Sequence, residues 1–456
     1  MKKLTALISA VAAFSFFFAS SGLAQDGGGA PAEIDATALE EAPAPPPTIE
    51  EVAAAAADAQ TTGNTAWMLT STALVLFMTL PGLALFYGGL VHKRNVLSVL
   101  MHCFALACVM SIVWLILGYS FAIGDGEGFF GGFGNIFHCG VAEEGGILTS
   151  AFQMTFFIIT PALIIGAFVE RFKFSAMLLF SVLWSLLVYA PVCHWTWFGG
   201  FFSQWGVEDL AGGIVVHITA GVAALIACIM VGRRKNISPP HNLPMTVMGT
   251  SMLWVGWFGF NAGSTGGAGD SAAMTLLATH MSAATGAFTW AAIEWFTVKK
   301  PSVLGICTGA IAGLAAITPA SGVASPAGGF LIGLIAGIVC YWASVKLKNK
   351  IGYDDSLDVV GVHGVGGLIG VLMAAVVGNI AFLKGGDFMS DLGNSRGMLA
   401  QLGVQLGAVA ITIVYTAVLT IGILLLVKKL VGLRVEEQEE IEGLDQSEHG
   451  ETAYNT

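Results

Sequence analysis

Two histidines each stand eight residues after an aspartate. Asp209 precedes His217 in Asp209-Leu-Ala-Gly-Gly-Ile-Val-Val-His217, and Asp355 precedes His363 in Asp355-Ser-Leu-Asp-Val-Val-Gly-Val-His363. A neutral imidazole carries one donor and one acceptor nitrogen. Its reference pKa of about 6.5 lets it exchange protons near neutrality. Two imidazoles in apolar surroundings can therefore take a proton from a cation or pass one on; the plainer alternative is a pair of buried histidines that hydrogen-bond structurally. Metal binding would want a third N, S or carboxylate ligand close by. On a helix the two aspartates lie about 12 Å from the histidines along the axis, so metal is disfavoured and no cofactor is expected. Asp209 and Asp355 read more simply as helix N-caps, and Asp209 is also placed to stabilise a cation at the mouth of a pore.

The elements that must position these residues are membrane helices. Of 456 residues, 55% are hydrophobic and 11% charged, with a mean hydropathy of +0.78. A soluble domain carries about 25% charged residues. The 59 glycines suit close helix packing in lipid. The net charge of −11 gathers at the ends: eight acids and no bases lie between Gln25 and Gln60, and eight more acids lie from Glu436 to Glu451. Six of the seven cysteines, all but Cys139, fall in apolar stretches, and no C-x-x-C pair is present; they read as packing residues. No nucleotide loop, metal motif or catalytic triad is visible, so an enzyme is not expected.

Lys2 and Lys3, an apolar run from Leu4 to Phe18, and small residues up to Ala24 read as a signal peptide over 1–24. Residues 25–62, rich in Ala, Pro, Asp and Glu, read as a disordered extracytoplasmic linker. Apolar segments of spanning length follow at about 66–91, 97–122, 149–169, 174–200, 211–232, 244–263, 271–296, 301–317, 327–346, 358–380 and 399–430. Fifteen Lys and Arg fall on one set of loops and the tail, against only Lys384 and Arg396 on the other. By the positive-inside rule the mature N-terminus is outside and the C-terminus cytoplasmic.

The expected fold is an all-α polytopic membrane protein of eleven transmembrane helices in the cell inner membrane. Its membrane domain spans 63–431, with a cytoplasmic tail over 432–456. His217 and His363 fall in the fifth and tenth spans, which run antiparallel and bring the two rings to mid-membrane from opposite faces. That predicts two inverted five-helix repeats, 66–232 and 244–380, plus an eleventh helix; such repeats place the substrate route at their interface.

The chain resembles the ammonium transporter (Amt/Rh) family, bacterial Amt branch, from about Asn64 to Asn455. The resembling strings are Thr79-Leu-Pro-Gly-Leu-Ala-Leu-Phe-Tyr-Gly-Gly-Leu90, the segment Asp209–His217, Gly256-Trp-Phe-Gly-Phe-Asn-Ala-Gly-Ser264, Gly361-Val-His-Gly-Val-Gly-Gly367, and the tail from Gly432. The resemblance implies a homotrimer with one pore per subunit. It assigns Trp197 and Ser264 to an outer ammonium site with Phe156 on its wall and Asp209 in support. Phe156 and Phe260 become the stacked pore gate, and His217 and His363 the twin-histidine pair below it. It also implies a tail docked on the cytoplasmic face, where a PII-type nitrogen-regulatory protein would plug the pore.

The chemistry agrees with that assignment. An aromatic face, Trp best, attracts a small cation by about 0.5–2 kcal/mol, and Ser264 offers an acceptor for one N–H. A charge at the bilayer centre costs at least about 2.5–3.5 kcal/mol. Ammonium avoids part of that cost by giving up its proton and crossing as ammonia, whereas potassium has no proton to give. Separate passage of the proton, making uptake electrogenic, is implied by the resemblance alone.

Taken singly, Phe156, Phe260 and Trp197 would be ordinary packing; the resemblance reverses that. Trp195, His194 and His280 read as structural. Phe152 shares the helix face of Phe156 and is expected in the vestibule. Met154-Thr155 replace smaller residues and are expected to narrow it. Two rival readings are an ammonium receptor and a neutral-gas channel of the Rh type. The first is disfavoured because no appended output domain is expected after Thr456, the second because Trp197 and the Amt-type tail are present.

Overall fold

The computed structural model describes residues 46–126, 128–143, 146–385 and 396–454. The expected signal peptide and the expected linker as far as residue 45 lie outside the described residues. The chain divides into residues 1–55 and 56–456. In the first unit, Thr48 and Glu51 start a helix by reciprocal capping: the Glu51 N–H donates to Thr48 Oγ1 at 3.2 Å and the Thr48 N–H to Glu51 Oε2 at 2.7 Å.

That helix corrects the linker expectation. Residues 49–62, expected to be disordered, belong to the helix Ile49–Phe77. Once capped, the run Ala53–Ala57 propagates it through strong helix formers, and it stays exposed as far as Gly63.

The helices in chain order are α1 (Ile49–Leu90), α2 (Val96–Ile123), α3 (Ile147–Ile165), α4 (Phe174–Gln204), α5 (Gly213–Val231), α6 (Leu243–Gly263), α7 (Asp270–Val298), α8 (Val303–Ala320), α9 (Pro326–Ile351), α10 (Val360–Val377) and α11 (Met398–Leu430). Nine of them are long and apolar enough to cross a membrane; α6 and α7 are long enough, at 21 and 29 residues, but more polar. Their Thr, Ser and Asn residues are satisfied internally, as where Asn261 Nδ2 donates to Thr279 Oγ1 at 3.0 Å. No strand occurs among the described residues, only two isolated bridges.

The fourth and fifth helices of the two expected halves share an irregularity. A π-helical turn interrupts α4 at Ser185–Tyr189 and α9 at Trp342–Leu347, and another opens α5 at Gly213–Ile218 and α10 at Val360–Gly364. The last two turns carry His217 and His363. Such turns shift side chains around the helix axis and are frequent at functional sites.

Where α5 meets α10, two glycines set the approach. A Cβ on Gly221 would stand 2.2 Å from the Gly364 Cα. Only an absent side chain lets the backbones come this close.

At one end of the bundle, Arg171 is fully buried. Its guanidinium donates to the carbonyls of Ala167, Gly232 and Asp354 at 3.2, 2.8 and 2.6 Å and to Ser356 Oγ at 2.7 Å. It thereby ties together the loops that follow α3, α5 and α9. Beside it, Arg234 pairs with Glu170 and Asp354, each at 2.8 Å.

The tail docks on the same end through α12 (Glu437–Glu442) and α13 (Leu444–His449). Asp445 Oδ1 accepts the Ser98 N–H at 2.7 Å, and the Leu444 N–H donates to Asn95 Oδ1 at 2.8 Å. The Lys173 N–H donates to the Leu433 carbonyl at 3.0 Å, and Arg434 pairs with Glu440 at 2.6 Å. Gly443 turns between α12 and α13 at φ +107°, and a Cβ there would stand 2.4 Å from the Arg94 Cβ. Gly443→Val is therefore expected to loosen the tail. Overpacking of about 1–3 kcal/mol corresponds to roughly tenfold more open tail. A Glu-specific protease should cleave the tail about tenfold faster in the variant; an unchanged rate would show that docking does not depend on this turn.

Candidate functional site

A cavity of about 650 Å3 opens at one end of the α3–α6 region, lined among others by Phe152, Gln153, Trp197, Asp209 and Ser264. Phe152 lies in the vestibule as its spacing from Phe156 predicts. Met154 and Thr155 do not line it, which corrects the expected narrowing. The helix turns them elsewhere: Thr155 is buried with its hydroxyl donating to the Phe152 carbonyl at 2.6 Å, and Met154 packs against the core.

Helix caps and backbone bonds hold the polar groups of this cavity. The Asp209 carboxylate accepts four backbone N–H groups, from Gly212, Gly213, Ile214 and Val215, at 2.8, 2.6, 2.7 and 3.3 Å. It caps the start of α5 from three residues ahead of the N-cap position, which Gly212 fills, so the expected N-cap falls three residues later than the spacing predicts. Its partner Asp355 accepts the Val360 N–H at 2.8 Å through Oδ2, and its Oδ1 is buried without a hydrogen bond. The Asp209 carbonyl accepts the Trp197 Nε1–H at 2.7 Å, which orients the indole. Ser264 donates its hydroxyl to the Phe260 carbonyl at 2.8 Å, so its oxygen keeps only lone pairs to offer. Next to Asp209, burial pushes the Glu208 carboxyl up to about 7 against the opposing pull of Lys384.

Below the cavity lie two buried rings. Phe156 and Phe260 stack with centroids 4.2 Å apart at 26°. Phe156 also meets Trp197 edge-on at 5.9 Å and Phe152 at 5.0 Å. These are attractive aromatic geometries, so the rings hold their positions without a bound molecule between them.

Beyond the rings lies a chamber of about 10 Å3, bounded by Phe260, His217, His363, Trp257 and aliphatic side chains. That is close to the space one water-sized molecule needs. His217 Nδ1 and His363 Nδ1 are 3.2 Å apart, with ring planes at 25°. One ring must donate from Nδ1 and the other accept there, so a neutral pair holds two different tautomers. His217 Nε2 has no hydrogen-bond partner. A third cavity of about 230 Å3 begins at His363 and widens past Tyr87, Ser356, Lys348 and Asp358, the last two joined at 2.7 Å. The three cavities narrow to a waist at the smallest of them, where both imidazoles lie.

The structure thus brings together every site residue predicted from the sequence. His194 and His280 stand apart: His194 Nδ1 bonds the Ala122 carbonyl at 3.3 Å, and His280 packs on Trp254. Trp195 donates to the Phe129 carbonyl at 2.8 Å. The sequence reading missed Trp257, whose ring lies 5.7 Å from that of His217 and whose Nε1–H is anchored on Thr318 Oγ1 at 2.9 Å. The string Gly256–Ser264 contains it, but nothing in its spacing separates it from a packing indole. Among the described residues, no group of three His, Cys, Asp or Glu is placed to hold a metal ion.

Helices long and apolar enough to span a membrane, with wide cavities on either side of an apolar waist that holds two bonded imidazoles, define a polytopic membrane protein. The chain belongs to the ammonium transporter family, whose family model matches residues 66–454. An ammonium transporter of Aquifex aeolicus (strain VF5) is 46% identical over 409 residues, covering 86% of this chain and 94% of its own. One of Bacillus subtilis (strain 168) is 44% identical over 402 residues, covering 86% and 98%. A solved structure described as a sensor Amt protein superposes with a TM-score of 0.79 at 28% identity, covering 86% of this chain and 99% of that one.

Proposed function

We propose that the protein takes up ammonium by an electrogenic route in which the ion sheds its proton before the waist. Ammonium enters the outer cavity and rests against the indole of Trp197 and the Phe156 edge, with an N–H on Ser264 Oγ. Asp209 contributes its negative charge, although its oxygens are already engaged in capping α5. The Phe156–Phe260 stack excludes a hydrated cation. Ammonia passes it, meets the imidazoles of His217 and His363, and leaves through the inner cavity. The proton crosses separately along the histidine pair, so each cycle moves net charge.

The observation that carries this reading is the waist: a chamber the size of one small molecule, closed by stacked phenylalanines, whose polar groups are two imidazoles bonded to each other. A bare cation would find few ligands there, and a charge at mid-membrane is costly; a neutral ammonia finds a donor and an acceptor.

The same reading extends to the assembly. The protein forms a homotrimer with one pore per subunit in the cell inner membrane, spanning it eleven times with the N-terminus outside and the C-terminus in the cytoplasm. A signal peptide over 1–24 precedes the mature chain, and a PII-type protein binds over the docked tail.

The test is the transient current in proteoliposomes after a jump in ammonium, with potassium as comparison. A decaying current is expected with ammonium and none with potassium, and His217→Ala/His363→Ala should change it. If the intact protein binds ammonium but passes no current, it is a receptor; if ammonia crosses without current, it is a gas channel. Either outcome would end the electrogenic reading.

A further inference from the structure

The backbone between α4 and α5, from Trp205 to Gly212, lacks regular secondary structure. Irregular backbone near lipid persists only where other protein groups satisfy its N–H and C=O. At Gly206 and Glu208 that satisfaction comes from α11, the helix outside both halves. Gln405 is fully buried. Its Oε1 accepts the Glu208 N–H at 3.0 Å, and its Nε2 donates to the Glu208 carbonyl at 2.7 Å and to the Val371 carbonyl on α10 at 3.0 Å. One turn earlier, Gln401 Nε2 donates to the Gly206 carbonyl at 2.9 Å. Gln405 thus grips Glu208 as a neighbouring strand would, through both of its backbone polar groups.

The next residue is Asp209, whose carbonyl orients Trp197 at 2.7 Å and whose carboxylate starts α5. We propose that Gln405 is a positioning residue of the outer ammonium site: it fixes the backbone at Glu208 and, through Asp209, the aim of the Trp197 indole. This inference rests on the function proposed above. The attraction between a cation and an indole depends on the ring face being presented to it. A turned ring weakens recruitment and leaves the passage beyond the phenylalanines as it was.

The experiment is a double-variant cycle on Gln405→Leu and Trp197→Leu, read as the ammonium dependence of the proteoliposome current. Leu keeps much of the side-chain bulk and removes the three bonds to backbone, together with a 3.5 Å bond accepted from Gln401 Nε2. Q405L is expected to raise the half-saturating ammonium concentration about tenfold, the span of a lost cation–aromatic contact, with maximal current within about twofold. In the W197L background Q405L should add less than about twofold, because two residues acting through one contact are not additive. Gln401→Leu, which loses the bond to the Gly206 carbonyl and the longer one to Gln405 Oε1, should shift half-saturation in the same direction by about two- to threefold, and it carries the same cycle if Q405L does not fold.

Additive shifts, or a fall in maximal current at unchanged half-saturation, would overturn the positioning role. A wild-type protein without ammonium current would instead end the proposed function. The cycle is then read on equilibrium ammonium binding to the purified protein, where the same non-additivity decides the role of Gln405.

Discussion

Asp209→Ala is expected to lower the stability of the membrane domain by at least about 3 kcal/mol and to abolish ammonium current. An exposed N-cap is worth about 0.5–2 kcal/mol. Asp209 is buried and receives four N–H groups, and each buried donor left without an acceptor costs about 1–3 kcal/mol. Water entering the gap would offset part of the sum, which is why the lower bound is modest. The turn that loses its cap is the π-helical turn that carries His217, so loss of stability and loss of the waist geometry go together. Thermal unfolding in detergent gives the first quantity and the proteoliposome current the second. Asp209→Asn, which keeps one acceptor oxygen, should fall between the two. A D209A protein that melts with the wild type would show that the four bonds are not what holds α5 in place.

The second large effect is an asymmetry at the crossing of α5 and α10. Gly221→Ala would set a Cβ 2.2 Å from the Gly364 Cα and 2.6 Å from its N, atoms of another backbone that cannot turn aside. Ordinary contact begins near 3.4 Å, so the helices must part by more than 1 Å. Overpacking of this kind costs about 1–3 kcal/mol, small enough for the domain to remain folded. The hydrogen bond between the histidines spans 3.2 Å and does not survive such a separation. G221A is therefore expected to pass less than about a tenth of the wild-type current while eluting as folded protein. Gly364→Ala should be much milder, since its Cβ would meet the Gly221 Cα at 3.2 Å. Equal losses in the two variants would mean that the crossing distance is not the cause.

Much of this site could be read before the fold was known, for a physical reason. Membrane segments are so poor in polar residues that any ionisable one stands out, and two at equal offsets from two acids stand out together. His217, His363, Asp209 and Asp355 were legible on those grounds. The aromatic residues were not. With 29 Phe and 11 Trp in the chain, nothing in their spacing separates Phe156 from a packing ring, and only resemblance singled it out. Trp257 escaped even that. The vestibule effect expected of Met154-Thr155 failed because the reading took sequence neighbours of a lining residue for lining residues, whereas on a helix adjacent side chains point about 100° apart. The linker expectation failed in its last part because acidic, Ala-rich composition fits a solvated chain and a solvated helix equally; the reciprocal capping of Thr48 and Glu51 decides between them. Gln405 could not have been found from the sequence, since the atoms it grips at Glu208 are backbone atoms nearly two hundred positions away.

The volume of the waist has a consequence for how flux responds to concentration. Fast ion channels keep several ions in a queue, and the entry of one helps expel another. A chamber of about 10 Å3 has room for a single occupant and no queue. Turnover then follows the odds that one place is filled, so rate should rise with ammonium along a plain saturating curve, without the acceleration or the mixture anomalies that crowded pores show. A second solute admitted to the same chamber could only take turns with the first.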